Sequence, residues 1–258
     1  MPTTAMENLE QILQGFKPIT LSEMDGVQLM DRTDTKFMLS RGELEDILKA
    51  LPHTYRVLEV NGIRQSHYET LYYDTEDFHH FILHQNGKRN RYKIRMRKYV
   101  DSDLTFLEVK FKSNRERTIK NRMKLPEIGE VLEEKSMEFL GKQPNLDENK
   151  LVPKIWNAFK RITLVNEELK ERLTIDCELS FRQNGSSVLL PKVVIAEVKQ
   201  ERANRHSPFM VEVKRRMIRP ESISKYCLGV ALLFPHVKSN NFKQKILKIK
   251  RLENGMAA

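Results

Sequence analysis

Alternation of apolar and charged residues recurs along this chain and predicts several β-strands. Residues 91–98 read RYKIRMRK, so a cation and an apolar residue alternate at almost every position. A period of two is typical of a strand, because successive side chains point to opposite faces of a sheet. The same pattern, with many β-branched and aromatic residues, predicts six further strands over residues 29–39, 67–75, 104–112, 117–125, 172–182 and 191–202.

Helical periodicity predicts a second set of elements between and after these strands. Ser40 and Glu43 have the spacing of a capping box, which predicts a helix over residues 40–51. Residues 127–170 contain helical patterns and are interpreted as a helical insertion. Further helices are predicted over residues 5–16, 76–85, 206–217, 222–234 and 240–250.

The chain of 258 residues is expected to form one domain, because it contains no internal repeat and no clear linker. The domain is predicted to span residues 1–258, with a core over about 17–235 and a basic C-terminal helix and tail over 240–258. The amino terminus lacks the apolar core of a signal peptide, and no apolar run approaches about 18 residues, which predicts a cytoplasmic protein. Cys177 and Cys227 lie far apart, which argues against a zinc site or a disulfide framework.

The positive charge of the chain is concentrated in one segment. The whole chain carries a formal net charge of +10. Residues 88–124 contain 14 Lys and Arg against four acidic residues, so this segment alone has an excess of ten. Such local basicity indicates an anionic partner, which could be nucleic acid, polyphosphate, a phosphorylated metabolite or anionic lipid. A solvated basic surface is the alternative interpretation.

The strand pattern alone is compatible with two arrangements of the sheet. In the first, the apolar face is packed and the charged face is solvated. In the second, an antiparallel β-barrel has its charged faces inward and its apolar faces clad in helices, with the same period of two. The many helices and the predominance of Lys and Arg favour this second, α+β arrangement. Repulsion and desolvation would destabilise a basic lumen unless it is hydrated and receives a polyanion.

Eight short motifs occur in the order found in the VTC domain, the polyphosphate polymerase domain of the vacuolar transporter chaperone complex, which also occurs as stand-alone bacterial proteins. The motifs are MDRTDTKF, TLYYDT, NRYKIRMRKY, FLEVKFK, IKNR, LTIDCELSFR, AEVKQER and SISKY. The resemblance spans residues 17 to about 235. The family belongs to the triphosphate tunnel metalloenzymes, whose antiparallel barrel threads a phosphate chain through a basic lumen. The resemblance therefore implies the inward arrangement.

The resemblance also implies an activity: transfer of the γ-phosphoryl group of ATP to a growing polyphosphate chain, with Mn²⁺ or Mg²⁺. Glu197 resembles the metal-binding glutamate of the family. The residues that resemble its catalytic residues are Lys36, Arg95, Arg97, Lys110, Lys120, Arg122, Arg172, Arg182, Ser224 and Lys225. Candidate contacts with phosphate or ATP are Arg32, Lys93, Lys112, Lys199 and, for stacking on adenine, Tyr72. Ser222 stands where the yeast enzyme has a lysine, which implies one cation fewer.

These residue types suit phosphoryl transfer, which depends on positioning and on charge stabilisation. An Arg guanidinium can bind two phosphate oxygens at once, and a Lys ammonium acts as a point charge. Residues two apart on a strand lie about 6.6–6.8 Å apart, so a row of cations can follow an extended phosphate chain. A hard cation held by a carboxylate and the substrate would polarise the transferred group. Glu108, Asp176 and Glu178 are either further ligands or counter-ions that hold Arg side chains.

Other functions stay open on the sequence alone. Related tunnel enzymes hydrolyse triphosphate or short polyphosphate, and a non-catalytic module could bind polyphosphate or inositol phosphates. Nucleic-acid binding is disfavoured, because the cations lie on strands with little aromatic interleaving. His80 and His84 have the spacing of a helical metal pair, but no third ligand lies nearby in the sequence. The chain has no P-loop motif, and a membrane partner that receives the product is compatible with it.

Overall fold

The computed structural model describes residues 4–25, 32–114 and 118–256. Residues 29–31 and 117, which belong to two predicted strands, lie outside this range. The strands are β1 (Lys17–Ile19), β2 (Thr33–Ser40), β3 (Arg56–Leu58), β4 (Ser66–Thr75), β5 (Arg91–Tyr99), β6 (Leu104–Lys112), β7 (Thr118–Leu125), β8 (Leu151–Asn166), β9 (Glu171–Gln183), β10 (Ser186–Leu190) and β11 (Val193–Gln200). The α-helices are α1 (Thr4–Gln14), α2 (Leu21–Asp25), α3 (Arg41–Lys49), α4 (His79–Gln85), α5 (Glu134–Gly141), α6 (Pro208–Arg215), α7 (Lys225–Leu233) and α8 (Lys243–Glu253).

Most predicted elements correspond to observed ones. Each of the seven predicted strands has a counterpart, in β2, β4, β5, β6, β7, β9 and β11. The capping box of α3 is confirmed: the Glu43 amide donates to Ser40 Oγ at 3.2 Å, and the Ser40 amide donates to the Glu43 carboxylate at 2.8 Å. Within the described part of the chain, no helix combines the length and the apolarity that crossing a bilayer requires.

The predicted helical insertion over residues 127–170 is wrong in its second half. Only α5 is an α-helix there, and β8 is a strand of 16 residues. Ile155, Phe159 and Ile162 have the spacing of a helical face, which explains the misinterpretation. In the structure Ile155 and Ile162 belong to different clusters on opposite sides of the sheet, so β8 is buried on both faces and lacks a clear alternation.

The main sheet has the strand order β2-β11-β9-β8-β4-β5-β6-β7, and every ladder along it is antiparallel. The expected closed barrel is not formed, because no ladder joins the edge strands β2 and β7 within the described residues. The sheet is instead strongly curved, so that side chains of both edges line one cavity. The Glu221 amide donates to the Lys36 carbonyl at 2.8 Å, so the segment before α7 covers the edge of β2.

Helices cover the apolar outer faces of the sheet. Phe209 of α6 and Leu44 of α3 are buried in one cluster with Phe37, Leu173 and Ile175 of the strands. A second cluster joins the outer faces of β4, β5 and β6 to α5. These contacts leave the basic faces of β5, β6 and β7 pointing into the interior, as expected for the inward arrangement.

Helix α7 fills one end of this interior. Five consecutive residues, Tyr226 to Val230, are all buried, which is unusual for a helix on a protein surface. The helix packs against Ile155 of β8 and Phe181 of β9 in a cluster separate from the outer one. As a consequence, the cavity occupies only the other end of the curved sheet, next to the amino terminus of α7.

Gly229→Ala is expected to destabilise the fold, because α7 approaches the sheet closely at this position. A Cβ atom at Gly229 would lie 2.4 Å from Ile155 Cδ1 and 2.7 Å from Phe181 Cδ1. Overpacking of a core costs about 1–3 kcal/mol, and urea denaturation should show that loss in the free energy of unfolding. Gly42→Ala in α3 is the control, since nothing lies within 4 Å of the new Cβ. Equal effects of the two substitutions would contradict the packing described for α7.

Candidate functional site

The inner face of the curved sheet encloses a cavity of about 510 Å³. Eleven Lys and Arg residues and four carboxylates line it, a formal excess of seven positive charges. The cations are Arg32, Lys36, Lys93, Arg95, Arg97, Lys110, Lys120, Arg122, Arg161, Lys199 and Lys225. The carboxylates are Asp34, Glu108, Asp176 and Glu197. A large excess of one charge in a concave site attracts and concentrates ligands of the opposite charge.

Three lysines form a row across neighbouring strands on one side of the cavity. Lys93 of β5 lies directly opposite Lys110 of β6, which lies directly opposite Lys120 of β7. We call these three residues the lysine row. Like charges placed directly opposite each other destabilise a sheet. In the described part of the chain no carboxylate lies within ion-pairing distance of the three ammonium groups. Glu197 and Asp34 act on Lys110 from a greater distance, so the protein relieves the repulsion only in part.

Two residues further along the same three strands, a carboxylate lies between two arginines. Glu108 of β6 lies opposite Arg95 of β5 and Arg122 of β7. Its carboxylate accepts from Arg95 Nε at 2.6 Å and lies 4.0 Å from Arg97. Although burial opposes the shift, Arg95 and Arg97 hold the pKa of Glu108 below its usual value. Glu108 is therefore a counter-ion that fixes the two arginines, which agrees with one of its two predicted roles.

Asp176 has the same role on the opposite wall. Its carboxylate accepts two hydrogen bonds from the Arg161 guanidinium, at 2.6 and 2.8 Å, and a further one from Lys225 Nζ. Although burial opposes the shift, these two cations hold the pKa of Asp176 well below its usual value. Asp176 therefore links β9, β8 and the start of α7, and it directs two cations to the cavity.

Aromatic rings support three of these cations without neutralising them. Phe159 and Tyr68 are stacked with their centroids 5.1 Å apart. The Phe159 centroid lies 5.8 Å from Arg97 Cζ, 5.3 Å from Arg161 Cζ and 4.4 Å from Lys225 Nζ. The face of an aromatic ring attracts cations but carries no net charge. The rings thus hold the three side chains in place and add no negative charge to that of Asp176 and Glu108.

Glu197 lies on the wall formed by β2 and β11. Its carboxylate is 3.5 Å from Lys36 Nζ and accepts from Lys199 Nζ at 2.5 Å. Although burial opposes the shift, these lysines keep the pKa of Glu197 well below its usual value, so the group is anionic. The described residues contain no cluster of three or more His, Cys, Asp or Glu side chains that could hold a metal ion by themselves.

Glu197 could nevertheless bind a divalent cation that is also bound by phosphate oxygens of the substrate. Mg²⁺ is commonly held by one or two carboxylates together with phosphate oxygens of the substrate. Glu197 offers an ionised carboxylate at the wall of a cavity that attracts phosphates, and Asp34 also lines that cavity. The site is therefore suited to a metal that arrives with its phosphate ligand, and not to a metal held by the protein alone.

Most of the residues singled out in the sequence come together at the cavity. Those that line it are Arg32, Lys36, Tyr72, Lys93, Arg95, Arg97, Lys110, Lys120, Arg122, Glu197, Lys199, Ser224 and Lys225. Ser224 is the N-cap of α7, where its hydroxyl accepts from the Cys227 amide at 3.4 Å. Lys36 Nζ donates to the Ile223 carbonyl at 3.2 Å, which fixes the segment before α7 against β2.

Three of the predicted site residues lie elsewhere. Lys112 and Arg172 are at the ends of their strands, beyond the lining; Arg172 lies opposite Lys199. Arg182 is on the outer face, with its guanidinium 4.5 Å from the centre of the Trp156 ring. The expected unbroken alternation over residues 172–182 fails because β9 has a bulge. Glu178 there has a φ of 52°, and the pairing with β8 shifts, which reverses the face of the residues that follow.

His80 and His84, the candidate metal pair, do not belong to any cluster of three or more potential ligands among the described residues. The His84 imidazole Nδ1 lies 2.9 Å from Cys227 Sγ, and the His80 ring packs against Tyr92. Both histidines are outside the cavity lining. Ser222, the position of the missing family lysine, is exposed and also outside the lining.

Among the cations that line the cavity in the described part of the chain, Arg161 is the one that the sequence analysis missed. It lies on β8, in the segment that was interpreted as helical. The run Arg161 to Val165 is rich in β-branched residues, and this was the available signal of a strand. Only the pairing of Arg161 with Asp176 in the ladder between β8 and β9 shows that both face the cavity.

Phosphate binding at this site is expected to be accompanied by proton uptake near pH 8. Desolvation in the cavity and the neighbouring cations together lower the pKa of Lys93 to about 7 and that of Lys110 to about 8. A bound polyanion favours the charged ammonium form, so it raises both pKa values and binding draws about one proton from solution. Calorimetric titration with tripolyphosphate in buffers of different ionisation enthalpy measures this uptake. The uptake should fall in Lys93→Met, and an unchanged value would contradict the prediction.

The fold and the site together define an α+β protein in which a strongly curved antiparallel sheet encloses a basic cavity. The family model of the VTC domain matches residues 31–234, more than half of the chain. The chain therefore belongs to the VTC domain family. A comparison with curated protein sequences finds no match.

Two solved structures are among those to which the chain is similar. One is a Bacillus halodurans protein described as a candidate adenylate cyclase, with 14% identity, a TM-score of 0.46, and coverage of 80% of this chain and 100% of that chain. The other is a Hippeastrum protein described as a candidate adenylyl cyclase with a dominant triphosphatase activity. It has 14% identity, a TM-score of 0.49, and coverage of 78% of this chain and 97% of that chain.

Proposed function

We propose that this protein synthesises inorganic polyphosphate by transferring the γ-phosphoryl group of ATP to the end of a growing chain inside the cavity. Membership of the VTC domain family supports a role in polyphosphate chemistry. The observation that carries the proposal is the lysine row, in which Lys93, Lys110 and Lys120 face one another with no carboxylate of the described residues in ion-pairing distance. Such repulsion is tolerated where a polyanion relieves it, and a linear phosphate chain has the required charge density and shape.

The cations on the two walls of the cavity would bind different phosphates of the substrate. The lysine row can bridge oxygens of adjacent phosphates, because each ammonium acts as a point charge. Arg97, Arg161 and Lys225 are already fixed by carboxylates and aromatic rings, so little side-chain entropy is lost when they bind the reacting phosphate. Charge that develops on the equatorial oxygens of the transferred group would then meet preorganised donors.

The chemical step requires no strong base from the protein. An oxygen of the terminal phosphate of the chain, already anionic, attacks the γ-phosphorus of ATP, and the bond between the γ-phosphorus and the bridging oxygen breaks to release ADP. When bound, a divalent cation held by Glu197 and substrate oxygens would neutralise charge on the phosphates and polarise the transferred group. Lys36 and Lys199 would keep Glu197 ionised and oriented.

The proposed activity is tested by incubating the purified protein with ATP and Mn²⁺ and separating the products on a gel stained for polyphosphate. We expect a ladder of long chains, with one ADP formed for each phosphate incorporated. Release of orthophosphate without chains would identify a hydrolase instead. Binding of polyphosphate without any nucleotide turnover would identify a binding module. A parallel incubation with Mg²⁺ in place of Mn²⁺ determines which metal supports the reaction.

The proposal also favours a cytoplasmic location, where ATP is supplied. Cys177 and Cys227 are both buried free thiols. Unpaired cysteines are typical of a reducing compartment. Cell fractionation with an antibody against the protein would test this location.

A further inference from the structure

Lys93 differs from the other two members of the lysine row in its burial, because Lys110 and Lys120 are exposed. It lies half-buried near the start of β5, on the inner face, between Arg91 and Arg95 along the strand. Directly across from it is Lys110, and no carboxylate of the described residues lies within ion-pairing distance. By contrast, Lys36, Lys199 and Lys225 each contact a carboxylate. The Lys93 amine is therefore not held as a structural ion pair.

We propose that Lys93 is a nucleophilic amine that acyl phosphates acylate, with the cavity binding the phosphate group of the reagent. The inference rests on the proposed function only in requiring that the cavity bind phosphates. It adds a covalent modification site and names the class of reagent, a carboxylic–phosphoric anhydride. No metal ion and no nucleotide are needed for this reaction.

The surroundings of Lys93 favour the neutral, reactive form of the amine. Burial, together with the nearby charges of Lys110, Lys36 and Arg91, lowers its pKa to about 7, against an opposing contribution from Cys227. A lysine that is desolvated or placed next to other cations is a recognised form of activated nucleophile. Near neutral pH a substantial fraction of Lys93 is thus the free amine, whereas an ordinary exposed lysine is almost fully protonated.

The same cations would concentrate and orient the reagent. The phosphate of an acyl phosphate carries the negative charge that the lining attracts, and Lys110 and Lys120 lie on the adjacent strands to receive it. A phosphate bound there would hold the attached acyl carbon near the Lys93 nitrogen. Such placement makes the reaction effectively intramolecular, which raises its rate.

The reaction balances without any other reactant. The Lys93 nitrogen lone pair attacks the acyl carbon, and the bond between that carbon and the phosphate oxygen breaks. Orthophosphate leaves with the electron pair, and the proton lost by the amine goes to the phosphate or to water. The product is a neutral amide, which removes one cation from the lysine row. Acylation would therefore weaken polyphosphate binding and would couple the site to the supply of phosphorylated acyl donors.

The experiment incubates the full chain with acetyl phosphate at neutral pH and follows the acetylation of each lysine by peptide mass spectrometry. Lys135, exposed on α5, is the internal reference. We expect Lys93 to be acetylated at least 10-fold faster than Lys135, and tripolyphosphate to protect it. With the acetyl ester of N-hydroxysuccinimide, which lacks a phosphate, the preference for Lys93 should be several-fold smaller. Lys93→Arg, which keeps the charge, should lose the rapid phase of acetylation.

Each outcome decides the inference. Acetylation of Lys93 no faster than that of Lys135, or an equal preference with the reagent that lacks phosphate, would overturn it. Binding of tripolyphosphate is measured separately by calorimetry on the unmodified protein. If tripolyphosphate binds and Lys93 is not selectively acetylated, only this inference fails. If tripolyphosphate does not bind at all, the proposed function fails with it.

Discussion

Lys110→Glu is expected to weaken tripolyphosphate binding at least about 100-fold and, at the same time, to stabilise the folded protein. The side chain lies in the centre of the lysine row, directly opposite Lys93 and Lys120. The substitution exchanges a cation for an anion beside the ligand, and one unit charge at about 4 Å near a protein surface is worth about 4 kcal/mol. A 100-fold loss corresponds to about 2.7 kcal/mol, well within that figure.

The predicted gain in stability distinguishes a specific loss of binding in Lys110→Glu from a loss caused by a destabilised fold. In the free protein the new carboxylate would face two ammonium groups and replace repulsion by attraction. Cross-strand pairs of opposite charge contribute about 0.2–1 kcal/mol, so the free energy of unfolding should rise by up to about 1 kcal/mol. Urea denaturation and calorimetric titration of the same sample measure both quantities.

Lys135→Glu is the matched control, because it makes the same change of net charge at an exposed position on α5. It should leave tripolyphosphate binding within about 2-fold, since distant surface charges are screened at physiological salt. Equal losses in the two variants would show that only net charge matters. Retention of binding in Lys110→Glu would exclude the lysine row from the site.

Glu197→Gln is expected to lower the rate of metal-dependent polyphosphate synthesis about 100-fold or more. A bound cation stabilises transition-state charge by several kcal/mol, and about 1.4 kcal/mol corresponds to a factor of ten in rate. Without metal, tripolyphosphate should bind the variant at least as tightly as the wild type, because Lys36 and Lys199 lose an anionic partner that competes with the ligand. The loss of turnover would thus be separated from any loss of binding.

Glu201→Gln provides the control for this second substitution. Glu201 follows β11 in the sequence, is exposed, and pairs with Lys170 at 3.6 Å outside the cavity. The rate of synthesis in this variant should stay within about 2-fold of the wild type, as for most surface changes. A rate in Glu197→Gln that also stays within this range would remove Glu197 from the proposed metal site.

The basic wall of the cavity was the part of the site that the sequence could predict. On β5, β6 and β7 one face is apolar and the other is charged, so the period of two assigns each residue to a face without knowledge of the partner strands. Arg95 and Glu108 could be placed on the charged face in this way, but their contact at 2.6 Å depends on the register between the strands. The resemblance to the VTC domain then indicated which face points inward.

The opposite wall could not be predicted in the same way, because its strands are buried on both faces. β8 carries apolar residues toward α7 and toward the outer helices, so Arg161 did not stand out from its neighbours. On β9 the extra residue at Glu178 moves Arg182 to the outer face, and a bulge of this kind leaves no clear mark in an alternating sequence. In the described part of the chain β2 and β7 form no ladder, and the sequence did not predict this either. The edge of β2 is covered instead by the backbone of residue 221, a contact that no residue pattern marks.

The most direct test of this account is a crystal structure of the protein grown with tripolyphosphate. We expect the anion on the inner face of the sheet, with its oxygens in contact with Lys110 and Lys120 on one side and with Arg161 on the other. Tripolyphosphate bound only on the outer surface, with a cavity that contains nothing but water, would contradict the claim that this basic interior is built to hold a chain of phosphates.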